Sequence, residues 1–244
     1  MAAVKKLELT LPIGRLVGGS LYKGKTTDDK TGLPLVYKTG ANKGQPRTEY
    51  FFAYAIAKNP GETHWANSAW GQQIWAYGHQ VGGAPAQSPD FAWKIEDGDS
   101  ITPNKKGKRN CDREGHPGHW ILKMSGSFAA TIYKAEGAGY VQLVQPDFVK
   151  PGHFIQAQIS VGPNNSDDSP GIYLNQGLVC WSAFGPEISY GPDVAAAGFG
   201  QSPLPAGASA VPLAGSTPLP GAVPAAPGVP QGIPAIPGAA MAPP

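Results

Sequence analysis

The chain is poor in the features that mark several large protein classes. It has two cysteines in 244 residues, Cys111 and Cys180, too few for a disulfide framework. It has no run of about 18 apolar residues, the length that a membrane-spanning helix needs. Its N-terminus, MAAVKKLELT, lacks the apolar stretch of a secretion signal. These absences lead us to expect a soluble protein of a reducing cytoplasm that makes no membrane contact. Charge is scarce at one end only. Beyond residue 150 there is no Lys or Arg, and beyond Asp193 there is no charged residue at all.

What is present divides the chain in two. Of its 26 prolines, 14 lie from Pro186 onward, among Ala, Gly, Val and Leu. Such a composition cannot bury enough apolar surface to offset the entropy of ordering it. We therefore expect one folded domain over 1–187 and a disordered low-complexity tail over 188–244. The first 150 residues carry all 19 bases against 13 acids, a net of +6. A basic body of this kind points to a polyanionic partner.

Within the body, strand patterns dominate. Residues 4–21 alternate apolar and polar side chains. Over 48–58, Tyr50, Phe52, Tyr54 and Ile56 share one face, and Phe51, Ala53, Ala55 and Ala57 the other. Residues 33–38, 91–95 and 118–128 read as further strands, and 131–144 as a hairpin turning at Gly137 and Gly139. In 152–185, Ile155, Ala157, Ile159 and Val161 alternate with polar residues. The turn-rich GPNNSDDSPG then leads into a second β-prone run. One helix is expected over 63–78, with Thr63 as its N-cap and Trp70, Ile74 and Tyr77 at helical spacing. Trp65, Trp70 and Trp75 would anchor it. Five to seven strands with one helix exclude the βαβ rhythm of doubly wound folds. The expected class is all-β: an OB-fold-like small β-barrel with one inserted helix.

Three motifs suggest catalysis. Gly19–Thr26, GSLYKGKT, matches the phosphate-binding P-loop letter for letter. However, the next residues, TDDKTGLP, hold Gly32 and Pro34, which cannot make the long helix such a loop requires. Cys111, His116 and His119 are metal-ligand types, but no second pair completes a zinc set. Glu96, Asp97 and Asp99 could hold divalent ions on a phosphate, yet Glu-Asp-Gly-Asp is also an ordinary turn. We expect no cofactor, no metal and no catalytic residue.

The repeated signal is the interleaving of rings and cations. Tyr22, Lys23 and Lys25 come first, then Tyr37, Lys38, Lys43 and Arg47. Trp93 is next, then Lys105, Lys106, Lys108, Arg109 and Arg113. Unpaired nucleic acid needs these two ingredients: cations track its phosphates and rings stack on its bases. These thirteen residues are the candidate DNA contacts. Tyr50, Phe52 and Tyr54 compete with them, since the same rings are also candidates for the barrel core.

The stretches RLVGGSLYKGKTT, GQPRTEYFFAYAIAK, FAWKIEDGDS, NKKGKRNCDREG, GHWILKMSGSF and GIYLNQGLVCWSAFGPE together resemble the single-stranded DNA-binding proteins of tailed bacteriophages, over residues ~10–200. The resemblance implies an OB-fold protein that is not an enzyme. It would coat single strands without sequence preference during phage DNA replication, recombination and repair, in the host bacterial cytoplasm. The implied partners are single-stranded DNA and phage replication or recombination proteins, with self-association left open. Many such proteins end in an acidic tail that recruits partners; this chain ends GIPAIPGAAMAPP, without charge. A flexible tail of this length would span roughly 40 Å and could space neighbours along a strand or bind a partner through its prolines. Two alternatives stay open at this point: a phosphate-handling enzyme, either a P-loop-like NTPase or a metal-dependent nuclease, and a phage structural β-barrel protein.

Overall fold

The computed structural model describes residues 5–29, 31–37, 42–104, 106–164, 166 and 169–190. They contain nine strands and one α-helix: β1 (Leu7–Thr10), β2 (Gly14–Lys25), β3 (Glu49–Ala57), α1 (Ala69–Gly82), β4 (Ile95–Asp97), β5 (His119–Gly126), β6 (Thr131–Glu136), β7 (Gly139–Gln142), β8 (Phe154–Pro163) and β9 (Ile172–Ala183). All nine belong to one sheet, in the order β4-β5-β3-β2-β8-β9-β6-β7, with β1 also paired to β8. The ladders are antiparallel except β6 with β9, which run parallel. The sheet curls until β5 and β9 approach: Gln176 Nε2 donates to Phe128 O at 2.7 Å, just past the end of β5. No ladder joins these two strands, so the sheet is OB-like without being closed.

The alternations set which faces turn inward. In β8, Ile155, Ala157, Ile159 and Val161 are buried, and Phe154, Gln156, Gln158 and Ser160 are half-buried. In β3, the bulky Phe52, Tyr54 and Ile56 enter the main core with Leu16, Leu21, Leu122, Met124, Ile172 and Leu174. The Tyr54 hydroxyl lies between two backbone carbonyls, donating to Ile155 O at 2.9 Å with Pro12 O as its other neighbour. Burial pushes its pKa well up.

Several boundaries differ from the pattern reading. The first strand is two, because Pro12 has no N–H for a ladder: β1 pairs only with β8, and β2 turns to β3. Of the strand expected over 91–95 only Ile95 lies in β4, which runs on through Glu96 and Asp97, read from sequence as turn, while Ala92 makes only an isolated bridge to Gly171. The expected 33–38 strand is reduced to isolated bridges at Pro34 and Val36. The helix begins later than expected and ends later, at Gly82. Ser68, not Thr63, is its N-cap: Ser68 Oγ accepts from Gly71 N at 3.0 Å. A 3-10 turn, Trp65–Asn67, takes up the intervening residues, with His64 Nδ1 accepting from Ala66 N. Trp70, Ile74 and Tyr77 are buried, as their spacing predicts. Among the described residues no helix is long and apolar enough to cross a membrane. The body forms a compact unit that ends at Tyr190.

Candidate nucleic-acid interface

The outer face of β2, β3 and β5 is where small side chains gather. Val17, Ala53, Ala55 and Ile121 form a shallow apolar floor, and the segment after β9 crosses it. Arg15 holds this strap down: Nε donates to Gly152 O at 3.0 Å and Nη2 to Pro186 O at 2.7 Å. Ile188 N donates to Pro151 O at 2.9 Å, and Lys150 pairs with Glu187 at 2.8 Å. Ile188 is buried in the floor, while Tyr190 donates its hydroxyl to Val17 O and is itself 60 % exposed.

Two hollows open beside this floor, one of them against the strap. One, of about 380 Å³, is lined by Gly19, Ser20, Lys23, Gly24, Lys25 and Phe51. The other, of about 470 Å³, includes Phe51, Lys106, Lys108, Arg113, Lys123 and Tyr190. Phe51 lines both, so the two hollows adjoin at this residue as one basic trough. Six bases line it against one acid, Glu114. Lys23 pairs with Asp147 at 3.3 Å, Lys25 with Asp29, and Lys123 with Glu96. Among the described residues, no acid lies within ion-pair distance of Lys106, Lys108 or Arg113. Their charge is available to a ligand.

The candidate residues therefore separate. Lys23, Lys25, Lys106, Lys108 and Arg113 meet in the trough. Tyr22 does not: its ring packs on the core and its hydroxyl accepts from Val149 N at 3.2 Å. Trp93 lies against α1, tilted on Phe91 and stacked on Trp75, where Gly78 leaves room for its ring. Tyr37 belongs to the β2–β3 connection, its backbone bonded to Gly44 and Gln45. Lys43 stands exposed on that connection, and Arg47 pairs with Glu49 at 3.0 Å. Arg109 makes a two-pronged pair with Asp112, at 2.7 and 2.9 Å. Lys38 and Lys105 lie outside the described residues. The pattern reading passes over Phe51, Lys123 and Tyr190. Phe51 is the one ring on the small-residue face of β3. Lys123 is the one base inside the apolar run of β5.

The catalytic motifs resolve into structural roles. Gly19–Lys25 is strand, not a loop opening a helix; the described part of the segment between it and β3 holds no helix, so the P-loop reading is overturned. The carboxylates of Glu96 and Asp97 in β4 and of Asp99 just after it are taken up by the fold. Asp97 and Asp99 bind Lys58, Asp99 also accepts from Gly118 N at 2.7 Å, and Glu96 binds Lys123. Lys58 and Gly118 N hold the Asp99 carboxyl below its usual range. Among the described residues no group of His, Cys, Asp and Glu is arranged to hold a metal ion.

His116 lies under the basic loop, fully buried, with Nε2 unpartnered and Nδ1 3.2 Å from Glu114 O. Burial lowers its pKa, and nearby Arg113 acts in the same direction. His153 is lowered too, again mainly by burial. A histidine whose folded pKa lies below its unfolded value, about 6.5, contributes its full stability above that value, begins to lose it below, and has lost it once pH has fallen through the lowered folded pKa. Asp99 acts only at lower pH, below the usual carboxylate range. The melting temperature is therefore expected to fall as pH drops from neutral toward 5.5. His116→Gln should flatten that slope in a thermal-melt series without abolishing it, because His153 remains.

An open, curled, mainly antiparallel sheet with one helix is OB-like in architecture, and here it carries basic hollows against β2, β3 and β5. No protein-family model matches the chain, and no curated protein sequence does. Solved structures do match in fold. One is the single-stranded DNA-binding protein from bacteriophage Enc34 in complex with ssDNA, at 15% identity and a TM-score of 0.52, covering 75% of this chain and 89% of that one. A second structure of the Enc34 protein gives the same identity and score over 78% and 88%. Its C-terminal truncation matches at 16% and 0.50, over 74% and 88%. At these identities the likeness is one of fold.

Proposed function

We propose that this chain binds single-stranded DNA without sequence preference and is not an enzyme. The backbone of the strand tracks Lys23, Lys25, Lys106, Lys108, Arg113 and Lys123, and bases rest on Phe51 and Tyr190. The observation that carries this reading is the Phe51 ring shared by two basic hollows on one sheet face. The fold likeness to the Enc34 protein supports it. The role accords with the chemistry: a sequence-blind trough suits a protein that coats strands exposed in phage replication, recombination and repair, in the host cytoplasm. The binding unit is the folded domain, and the Pro-rich segment beyond it serves other contacts.

The test is a titration of labelled oligo-dT and of duplex at two salt concentrations. If four phosphates are engaged, log K should fall against log salt with a slope of about −3. Phe51→Ala should weaken oligo-dT binding at least about fivefold, the equivalent of one lost stacking contact of ~1 kcal/mol. Equal affinity for single strands and duplex at matched salt would overturn the reading. No affinity for either would favour a structural barrel protein.

A further inference from the structure

A second recognition surface lies away from the trough, on the solvent side of α1. His64, Trp75, His79, Gln87, Pro89 and Trp93 are among the residues around an open hollow of about 530 Å³. Its walls are rings. Trp75 and Trp93 stack at 4.7 Å and 13°, and His64 stands edge-on to Trp75 at 5.5 Å and 88°. Trp75 is 36 % exposed, a large apolar surface for a solvent-facing side chain. No Lys, Arg, Asp or Glu lines the hollow. The lining offers no permanent cation for a phosphate, and its rings and Pro89 suit an uncharged ligand.

The chain itself carries a segment of matching chemistry. Beyond Tyr190 it has 54 residues with one charged side chain, Asp193. Within them Pro224, Pro227 and Pro230 recur every third residue, with Pro234 and Pro237 after them. A polyproline II helix has three residues per turn, so prolines at that spacing line one edge. An edge of proline rings is what aromatic-lined grooves grip, and the prolines' fixed φ lowers the entropy cost of docking. The spacer from Tyr190 to Pro224 is 34 residues. As a flexible coil it would span roughly 30 Å, against a radius of about 20 Å for a body of this size. A spacer of that length is long enough for Pro224 to meet the hollow of a neighbouring copy.

We propose that the aromatic hollow beside α1 binds the Pro-rich segment 222–238 of a second copy of this chain, so that copies are linked tail to body. The link does not depend on nucleic acid, and it stands or falls separately from the reading of the trough.

The test uses the full chain in the absence of DNA. Its weight-average mass, from sedimentation equilibrium, should rise between micromolar and millimolar concentration. Trp75→Ala should abolish the rise, and so should the triple variant Pro224→Ala, Pro227→Ala, Pro230→Ala, which leaves the body untouched. Free peptide 222–238 in excess should dissolve the association of the native chain. The same peptide with the three prolines replaced should need at least ten times the concentration, a difference of about 1.4 kcal/mol. A chain that stays monomeric throughout would overturn the proposal. So would association that survives the triple variant, or that both peptides disrupt equally.

Discussion

Replacing Lys106 and Lys108 together by alanine is expected to lower the affinity for oligo-dT about 60-fold at 50 mM salt and about tenfold at 200 mM. The figures rest on counterion release. Each phosphate neutralised on a single strand contributes about −0.7 to the slope of log K against log salt, so two lost contacts remove about 1.4 from it. The gap between native chain and variant must therefore narrow as salt rises. Lys106 and Lys108 are the strongest choice because both line the trough and neither is held by an acid among the described residues. Lys23, Lys25 and Lys123 have partners to lose before they can serve a phosphate. Lys134→Ala is the control. It removes a charge of the same type from β6, where Lys134 sits 3.5 Å from Glu136, and should change affinity by less than about twofold, in keeping with the small worth of exposed charges remote from a contact. Equal losses from Lys134→Ala and from either trough lysine alone would mean that overall charge, and not the trough, governs binding.

The parts of this site that the sequence reveals are those carried by local pattern. β3 shows it best. Its alternation separates Tyr50, Phe52, Tyr54 and Ile56 from Phe51, Ala53, Ala55 and Ala57, and the bulky set goes inside because it buries more apolar area. The same pattern leaves Phe51 as a lone ring among alanines, which is the mark of a ring on the outer face. The basic loop is equally legible as a run of charge. Tyr22 misleads because its neighbours are charged. In a strand, however, the residue beside an outward lysine points the other way, and Tyr22 turns inward while Lys23 turns out. Trp93 misleads for a different reason. Its destination depends on α1, about twenty residues earlier in the chain, and no local pattern reports such a contact. The strap is hidden by composition. Pro186–Tyr190 opens the Pro-rich stretch, and only tertiary contacts with Arg15, Pro151 and the Val17–Ile121 floor distinguish it from the remainder of that stretch. The P-loop match shows the converse. Gly19 and Gly24 occupy the motif's positions because β2 breaks register with β3 between them, and a bulged strand draws glycine for its own reasons.

That break in register makes Gly19 the most sensitive position in the trough. Gly19 has φ +73°, a conformation that costs a residue with a Cβ about 1–2 kcal/mol. A Cβ there would also overlap the carbonyl oxygen of Phe51 and lie 2.7 Å from Phe52 Cα. Both are backbone atoms of a central strand, which cannot swing aside as a side-chain tip can. Gly32 separates the two effects. Its φ is +67°, yet a Cβ at that position would meet nothing within 4 Å, so Gly32→Ala carries only the conformational cost. Gly19→Ala is accordingly expected to destabilise the chain by about 3 kcal/mol or more, a fall of roughly 6–12 °C in melting temperature for a body of this size. Gly32→Ala should cost no more than about 2 kcal/mol. The chain of Gly19→Ala that remains folded should also bind oligo-dT more weakly, because the bulge that it distorts carries Lys23 and Lys25 and abuts Phe51. Thermal melts of both variants, with titrations run well below the lower melting temperature, separate the loss of fold from the loss of site. Equal destabilisation by the two substitutions would show that Phe51 does not press on Gly19, and that the bulge is free to rearrange.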